Sequence, residues 1–234
     1  MGGRAVICVF LQARLDSTRL PRKALLELAG RTVLEHAMEA MRLVPAQRYV
    51  LLTDAAGAEC FKGIARTCGF DLFAGSPDDV LDRYCAAIHA YEPTTVIRAT
   101  GDNPLVSPEL ARKAVVYHRA TGADYTGLLG MPIGLGVEVL RASALLAAGA
   151  EAQDAYEREH VSPFLYRRPE RFRIVRPRVE RLYDCEYERV TLDTADDYAR
   201  LVRIFESLYD GKPIDTPAVV EWLRRHRSDV AGYA

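Results

Sequence analysis

Ala5-Val6-Ile7-Cys8-Val9-Phe10-Leu11 runs directly into Gln12-Ala13-Arg14-Leu15-Asp16-Ser17-Thr18-Arg19-Leu20-Pro21-Arg22-Lys23. An unbroken apolar run, rich in β-branched residues, reads as a strand buried on both faces. The loop that follows carries four cations, two hydroxyls and a single acid. In open α/β sheets ligands bind outside the carboxyl ends of the strands, so a cationic loop at that position favours an anion site over a merely solvated surface. The loop has neither the GxxxxGK[ST] nor the GxGxxG pattern, so it is neither of the two common glycine cradles.

Working outward, the first half alternates between strand and helix patterns. Thr32–Leu43 predicts a helix with Val33, Leu34, Ala37, Met38 and Met41 on one face, and Thr32 and Glu35 have capping-box spacing. Arg48–Thr53 and Phe70–Phe73 read as strands on either side of a helix over Ala58–Cys68. Ser76-Pro77-Asp78-Asp79 reads as a helix start, with Ser76 as N-cap, and that helix runs to about Tyr91. Thr94–Ala99 is another strand, and Ser107-Pro108-Glu109 opens a helix to about Ala120. This rhythm predicts an α/β fold with a doubly wound, mostly parallel sheet.

Between Asp124 and Arg178 the rhythm changes. Gly130, Pro132, Gly134 and Gly136 lie close together. A strand over Val137–Leu140, a helix near Ser143–Ala150, a helical stretch over Asp154–Arg167 and strand-like Phe172–Val175 follow. We read 124–178 as an inserted arm or subdomain within a single domain of 1–234, with a role in dimerisation and acceptor binding. Arg189–Leu192 regains strand character. Thr194 caps a helix to about Tyr209, and Thr216-Pro217 starts a last helix to about Arg227.

The composition is that of an ordinary globular chain. Its 234 residues carry 31 basic and 32 acidic side chains, for a formal net charge of −1. No global field therefore favours nucleic acid or an anionic membrane, and any anion site must be local. Only four of the basic residues are lysines (Lys23, Lys62, Lys113, Lys212); the arginine excess suits forked contacts to phosphate and carboxylate, although codon bias gives the same excess. Cys8, Cys60, Cys68, Cys85 and Cys185 form no CxxC pair and no zinc pattern, which predicts reduced structural thiols in a cytoplasmic protein. No stretch is long enough to span a bilayer, and the N-terminus lacks a signal-peptide pattern.

Two further stretches bear on chemistry. In Arg98-Ala99-Thr100-Gly101-Asp102-Asn103-Pro104, Asp102 follows a strand end. In Thr191-Leu192-Asp193-Thr194-Ala195-Asp196-Asp197, Asp193 lies between an expected strand and an N-cap. If both strands share one sheet and direction, the two carboxylates converge at the edge that holds the basic loop, where with phosphate oxygens and water they suit Mg²⁺. Each taken singly also fits a helix-capping role, and Asp196 and Asp197 read as first-turn acids. Tyr183, Tyr187 and Trp222 read as packing residues, and His36, His89, His118 and His226 as ordinary helix-surface or core histidines.

Gln12-Ala13-Arg14…Ser17-Thr18-Arg19-Leu20-Pro21…Lys23 resembles the opening motif of the cytidylyltransferases that activate 3-deoxy-manno-octulosonate and acylneuraminate. The resemblance is strongest to the spore coat polysaccharide biosynthesis protein F branch, through Gly75–Tyr84, Thr100–Leu105, Gly134–Val139, Arg158–Phe164 and Val190–Thr194. It implies a Rossmann-like nucleotidyltransferase fold and a Mg²⁺-dependent transfer of CMP from CTP to an acidic sugar or related anion. Pyrophosphate would leave, and the enzyme would be a homodimer. It implies nucleotide contacts along Gln12, Ala13, Arg14, Ser17, Arg19 and Lys23. Gly75, Ser76 and Arg83 would shape the base and ribose pocket, with Thr100 and Gly101 alongside. Arg14, Lys23, Asp102 and Asp193 would form the catalytic group, Asp102 and Asp193 the metal site, and Glu138 and His160 the acceptor side. Asp16 and Arg22 depart from the pattern, standing where small residues or Gly are usual.

Two alternatives remain open from sequence. One is a nucleotidyltransferase using another nucleotide or a phosphonate or phosphate acceptor. The other is a non-catalytic nucleotide-binding protein of the same fold. His160 in isolation reads as a surface or core histidine, and Glu138 equally as an exposed strand residue.

Overall fold

A computed structural model describes residues 6–15, 17 and 19–226. Seven strands form one sheet in the order β5-β4-β1-β6-β8-β7-β9. They are β1 (Ile7–Gln12), β4 (Arg48–Thr53), β5 (Asp71–Ala74), β6 (Thr95–Thr100), β7 (Tyr125–Gly127), β8 (Glu138–Arg141) and β9 (Ile174–Val175); a small separate ribbon pairs β2 (Glu27–Leu28) with β3 (Arg31–Thr32). Neighbours pair in parallel, except that β8 runs antiparallel to both β6 and β7. Chain order places β4 and β5 on one side of β1 and β6 on the other, so the direction of winding switches at β1/β6. Gln12 and Thr100 stand opposite each other at the carboxyl end of that pair.

The helices are α1 (Val33–Arg42), α2 (Ala55–Thr67), α3 (Val80–Tyr91), α4 (Pro108–Thr121), α5 (Ala142–Glu151), α6 (Ala155–His160), α7 (Pro163–Tyr166), α8 (Ala195–Leu208) and α9 (Thr216–Arg225). Both sheet faces are covered. Val9, Leu11, Leu51 and Ile97 pack against residues of α1, α4, α8 and α9, while Cys8, Phe10, Val50 and Val96 pack against α3, α5 and α7. Period-two alternation on a strand covered from both sides explains why β1 is apolar at consecutive positions. Residues 124–178 supply β7, β8 and β9 to this same sheet and α5, α6 and α7 to its flank.

Several local signals act as the sequence suggests. Thr32 and Glu35 close a capping box on α1, and Ser107 caps α4 with Pro108 in its first turn. Thr194 caps α8 with Asp197 completing the box. Asp54 caps α2, which starts three residues before the expected Ala58.

Four readings are corrected. Ser76 is not an N-cap: Asp79 caps α3, and Ser76 accepts the Asp79 N–H at 3.1 Å in a preceding turn. The buried Arg83 guanidinium fixes that turn by donating to the Ser76 and Pro77 carbonyls. The expected helix 154–167 breaks in two at Val161, because Pro163 has no N–H to continue the helical ladder. Arg189–Leu192 is not a sheet strand; β9 takes the sheet edge, and the segment makes only a single bridge, Ile133 to Arg189. Tyr187 is 82% exposed, whereas Tyr183 and Trp222 are buried as expected. The C-terminal end expected near Arg227 lies outside the described residues.

Candidate active site

The switch-point crevice is built from three segments. The loop after β1 is held at its root by Ala13 N–H donating to Leu52 O at 3.0 Å, and it closes where Arg22 N–H donates to Leu15 O at 3.2 Å. Arg22 adopts φ 55°, the left-handed region where Gly is at ease, which gives physical content to its standing where Gly is usual. A short 3₁₀ turn, Lys23–Leu25, then returns Lys23 to the sheet edge. Asp16 and Thr18 lie outside the described residues. On the second segment, Gly101 N–H donates to Gln12 O at 2.7 Å. A Cβ at Gly101 would fall 2.7 Å from Leu34 Cδ1 and 2.9 Å from Leu11 Cδ2, so only glycine lets this turn lie flat on the core. The third segment is the irregular chain 189–194, which delivers Asp193.

Lys23 joins these segments. Its Nζ is 2.6 Å from Asp102 Oδ2 and 2.9 Å from Asp193 Oδ1, and it donates to Leu192 O at 2.7 Å. Arg19 and Arg189 approach Asp193 at 3.3 and 2.9 Å. Partial burial pushes the Asp193 carboxyl up, but the hydrogen bond and charge of Lys23, with Arg19 and Arg189, outweigh it and hold the carboxyl below its usual range. Asp102 and Asp193 thus converge as expected, by way of a loop rather than a strand.

The donor set fits a hard divalent cation. Two carboxylates from separate segments already share one cationic group, so both can reach a common ion. Among the described residues no cluster of three or more His, Cys, Asp or Glu is present. Such a half-shell suits Mg²⁺, which keeps several waters and substrate phosphate oxygens, and does not suit zinc.

A cavity of about 140 Å³ opens beside this cluster. Gln12, Ala13, Arg14, Lys23, Arg83, Thr100, Asp102 and His160 all line it, with Arg98 and Glu159. Of the other expected residues, Arg19 and Asp193 are tied to it through the ion pairs above, and Gly101 lies beneath it. Ser76 reaches it only through Arg83. Ser17 and Gly75 are not among its lining residues. Arg83 spends donors on backbone carbonyls, so it shapes the 75–79 turn.

A second cavity of about 510 Å³ shares Arg98 and Thr100 with the first and is lined by Glu138. Glu138 is a hub: Arg98 Nη1 lies 2.6 Å from its Oε2, while Ser162 Oγ and Tyr125 OH donate to its Oε1 at 2.7 and 3.0 Å. Burial alone would lower the Arg98 pKa, but Glu138 reverses the sign and raises it. Arg98 also donates to Gln12 Oε1 at 3.2 Å, which couples the two cavities. Glu138 and His160 therefore line different cavities. Arg98, Arg189, Tyr125 and Ser162 were not assigned roles from sequence; a charged residue inside the apolar run Thr94–Ala99 was the one signal for Arg98.

A doubly wound sheet whose switch-point crevice gathers a cationic loop and two convergent carboxylates defines a nucleotidyltransferase-like α/β enzyme. The chain belongs to the cytidylyltransferase family, whose model matches residues 8–211. It is 30% identical over 232 residues to the spore coat polysaccharide biosynthesis protein SpsF of Bacillus subtilis, covering 94% of this chain and 95% of that protein. Its fold matches a cytidylyltransferase from Leptospira borgpetersenii with a TM-score of 0.89, at 24% identity and 99% coverage of both chains. It also matches CMP:2-keto-3-deoxy-manno-octonic acid synthetase complexed with CTP, with a TM-score of 0.67, at 16% identity and coverage of 88% and 99%. No helix among the described residues is long and apolar enough to cross a membrane.

Proposed function

We propose that this enzyme transfers CMP from CTP to an acidic sugar or related anionic acceptor in surface polysaccharide synthesis, with Mg²⁺ bound and pyrophosphate released. The observation that carries the reading is Lys23 bridging Asp102 and Asp193 at the mouth of a cavity that shares Arg98 and Thr100 with a second, larger one. The smaller cavity with its cationic loop suits a nucleotide, and the larger one an acceptor.

The reaction needs no covalent nucleophile from the protein. An acceptor oxygen attacks the α-phosphorus and pyrophosphate departs, so the enzyme's part is alignment and charge neutralisation. Asp102 and Asp193 would hold the metal, which when bound supplies positive charge to the phosphate oxygens. Arg14, Arg19 and Lys23 would hold the triphosphate, with Lys23 leaving the carboxylates to do so. Arg83 would keep the 75–79 turn shaped for the base and ribose. The Arg98–Glu138 pair would set the wall between the two substrates, with His160 facing the nucleotide side. We further propose a cytoplasmic homodimer with residues 124–178 at its interface.

The test is a pyrophosphate-release screen of CTP, UTP, ATP and GTP against acidic sugars, phosphates and phosphonates, with and without EDTA. The reading requires CTP- and Mg²⁺-dependent release with at least one anionic acceptor; full turnover in excess EDTA would end the two-aspartate assignment. Light scattering that showed a fully active monomer at every concentration would remove the dimer.

A further inference from the structure

We infer that Arg176 is the residue that selects an anionic acceptor, binding its carboxylate or phosphate at the rim of the larger cavity. The inference deepens the proposed function and rests on it.

The position follows from strand register. β9 pairs with β7 in parallel, Tyr125 opposite Ile174 and Thr126 opposite Val175, and Leu129 opposite Arg178 keeps the same offset. Arg176 therefore falls beside Gly127, on the same face as Arg178 and Tyr125. Tyr125, Gly127 and Arg178 all line the larger cavity. The absence of a side chain at Gly127 leaves space that Tyr125 leans across: a Cβ there would meet the Tyr125 hydroxyl at 2.6 Å.

The guanidinium is preorganised. Its central carbon lies 5.2 Å from the Tyr125 ring centroid and 4.6 Å from that of Tyr166, and the two rings are 5.6 Å apart at 68°. Tyr125 is itself anchored on Glu138. Two aromatic contacts, with a hydrogen bond to Tyr125, hold the plane of an otherwise flexible, exposed side chain and leave its remaining donors for an oxyanion.

The two cations that line the cavity are already neutralised. Arg98 is paired with Glu138, and Arg178 with Asp184 and Glu186 at 3.1 and 2.9 Å. Among the described residues no carboxylate ion-pairs with Arg176. An anionic acceptor in this cavity meets its uncompensated positive charge there.

The experiment measures pyrophosphate release with CTP and Mg²⁺ for 3-deoxy-manno-octulosonate, N-acetylneuraminate and glucose 1-phosphate. Each is run against an uncharged counterpart: the two sugar-acid amides and glucose. For the charged acceptor that the wild type uses, Arg176→Gln should raise KM at least ~10-fold, the loss of one charge-assisted contact. It should leave kcat and the KM for CTP within about twofold and abolish the preference for charged over uncharged acceptor. Arg176→Lys should restore part of that preference. The carboxylate and phosphate arms identify which oxyanion is bound. An unchanged acceptor KM and preference in Arg176→Gln overturns the inference. So does a wild type that binds CTP by calorimetry yet uses no charged acceptor, and the nucleotide reading then stands. A wild type that binds no CTP overturns that reading and the inference with it.

Discussion

Lys23 Nζ lies 2.6 Å from Asp102 Oδ2, and the same ammonium holds Asp193. This one side chain bridges the two carboxylates proposed for the metal, with Arg19 and Arg189 also on Asp193. If a divalent cation and a triphosphate bind together, Asp102 and Asp193 would hold the cation and Lys23 would turn to the phosphates. Metal and nucleotide binding should therefore be positively coupled.

Lys23→Gln removes the internal counter-ion. Mn²⁺ titrated into the nucleotide-free variant and followed by electron paramagnetic resonance should bind more tightly than to wild type, because Asp102 loses its cation and Asp193 keeps only Arg19 and Arg189. CTP affinity should fall at least ~10-fold with or without metal, as expected for a lost charge-assisted phosphate contact. A variant with wild-type Mn²⁺ affinity would show that Lys23 does not compete for the carboxylates.

Asp102→Asn keeps shape and removes one charge. Turnover in the pyrophosphate assay should drop at least ~100-fold, the scale of one lost electrostatic element in a preorganised site. CTP affinity measured without metal should hold or rise, since Lys23 is then less tightly retained. Wild-type turnover in this variant would remove Asp102 from the active site.

Gly101→Ala tests how the aspartate is placed. The new methyl meets Leu34, Leu11 and Ala13 at 3.0 Å or less, and Leu34 and Leu11 are fully buried. Urea unfolding should show a loss of about 1–3 kcal/mol, the usual cost of overpacking. Turnover should fall further than that loss explains, because Asp102 is the adjacent residue.

Much of the fold was legible because its signals are local. The Thr32–Glu35 box, the Ser107-Pro108 start and the Thr194 cap each lie within four residues, and the apolar run ending at Leu11 needs no partner to be recognised. The convergence of Asp102 and Asp193 was legible as a possibility, but its route was not. Arg189–Leu192 has strand composition, and only the assembled sheet reveals that β9 already fills the edge. The Arg98–Glu138 hub was missed for a related reason: a half-buried arginine is readable only with its counter-ion, which lies 40 positions away. Ser76 misled because its helix-start signal is complete locally, while the Arg83 side chain that pins its carbonyl comes from the following helix.

Stability should fall on mild acidification, and His118 is a main cause. Burial, helped by the charge of Arg141 and opposed by Asp124, lowers its pKa from 6.5 to about 4, and its Nδ1 lies 3.1 Å from Thr126 Oγ1. The unfolded chain takes up a proton below 6.5 that the folded chain refuses until about 4, so the stabilisation present above 6.5 is lost across that window. The loss attributable to His118 is about 3 kcal/mol, from the size of the shift. Urea midpoints between pH 7.5 and 4.5 should fall less steeply in His118→Gln, which keeps a hydrogen-bonding side chain and does not titrate.

The most direct test of the central claim is a calorimetric titration of CTP into the wild-type protein, once with Mg²⁺ and once with EDTA. We expect saturable binding of one CTP per chain, tighter with Mg²⁺ than without and tighter than for UTP, ATP or GTP. Absence of saturable binding by any of the four nucleotides in the presence of Mg²⁺ would contradict the assignment of the Lys23–Asp102–Asp193 crevice as a nucleotide site.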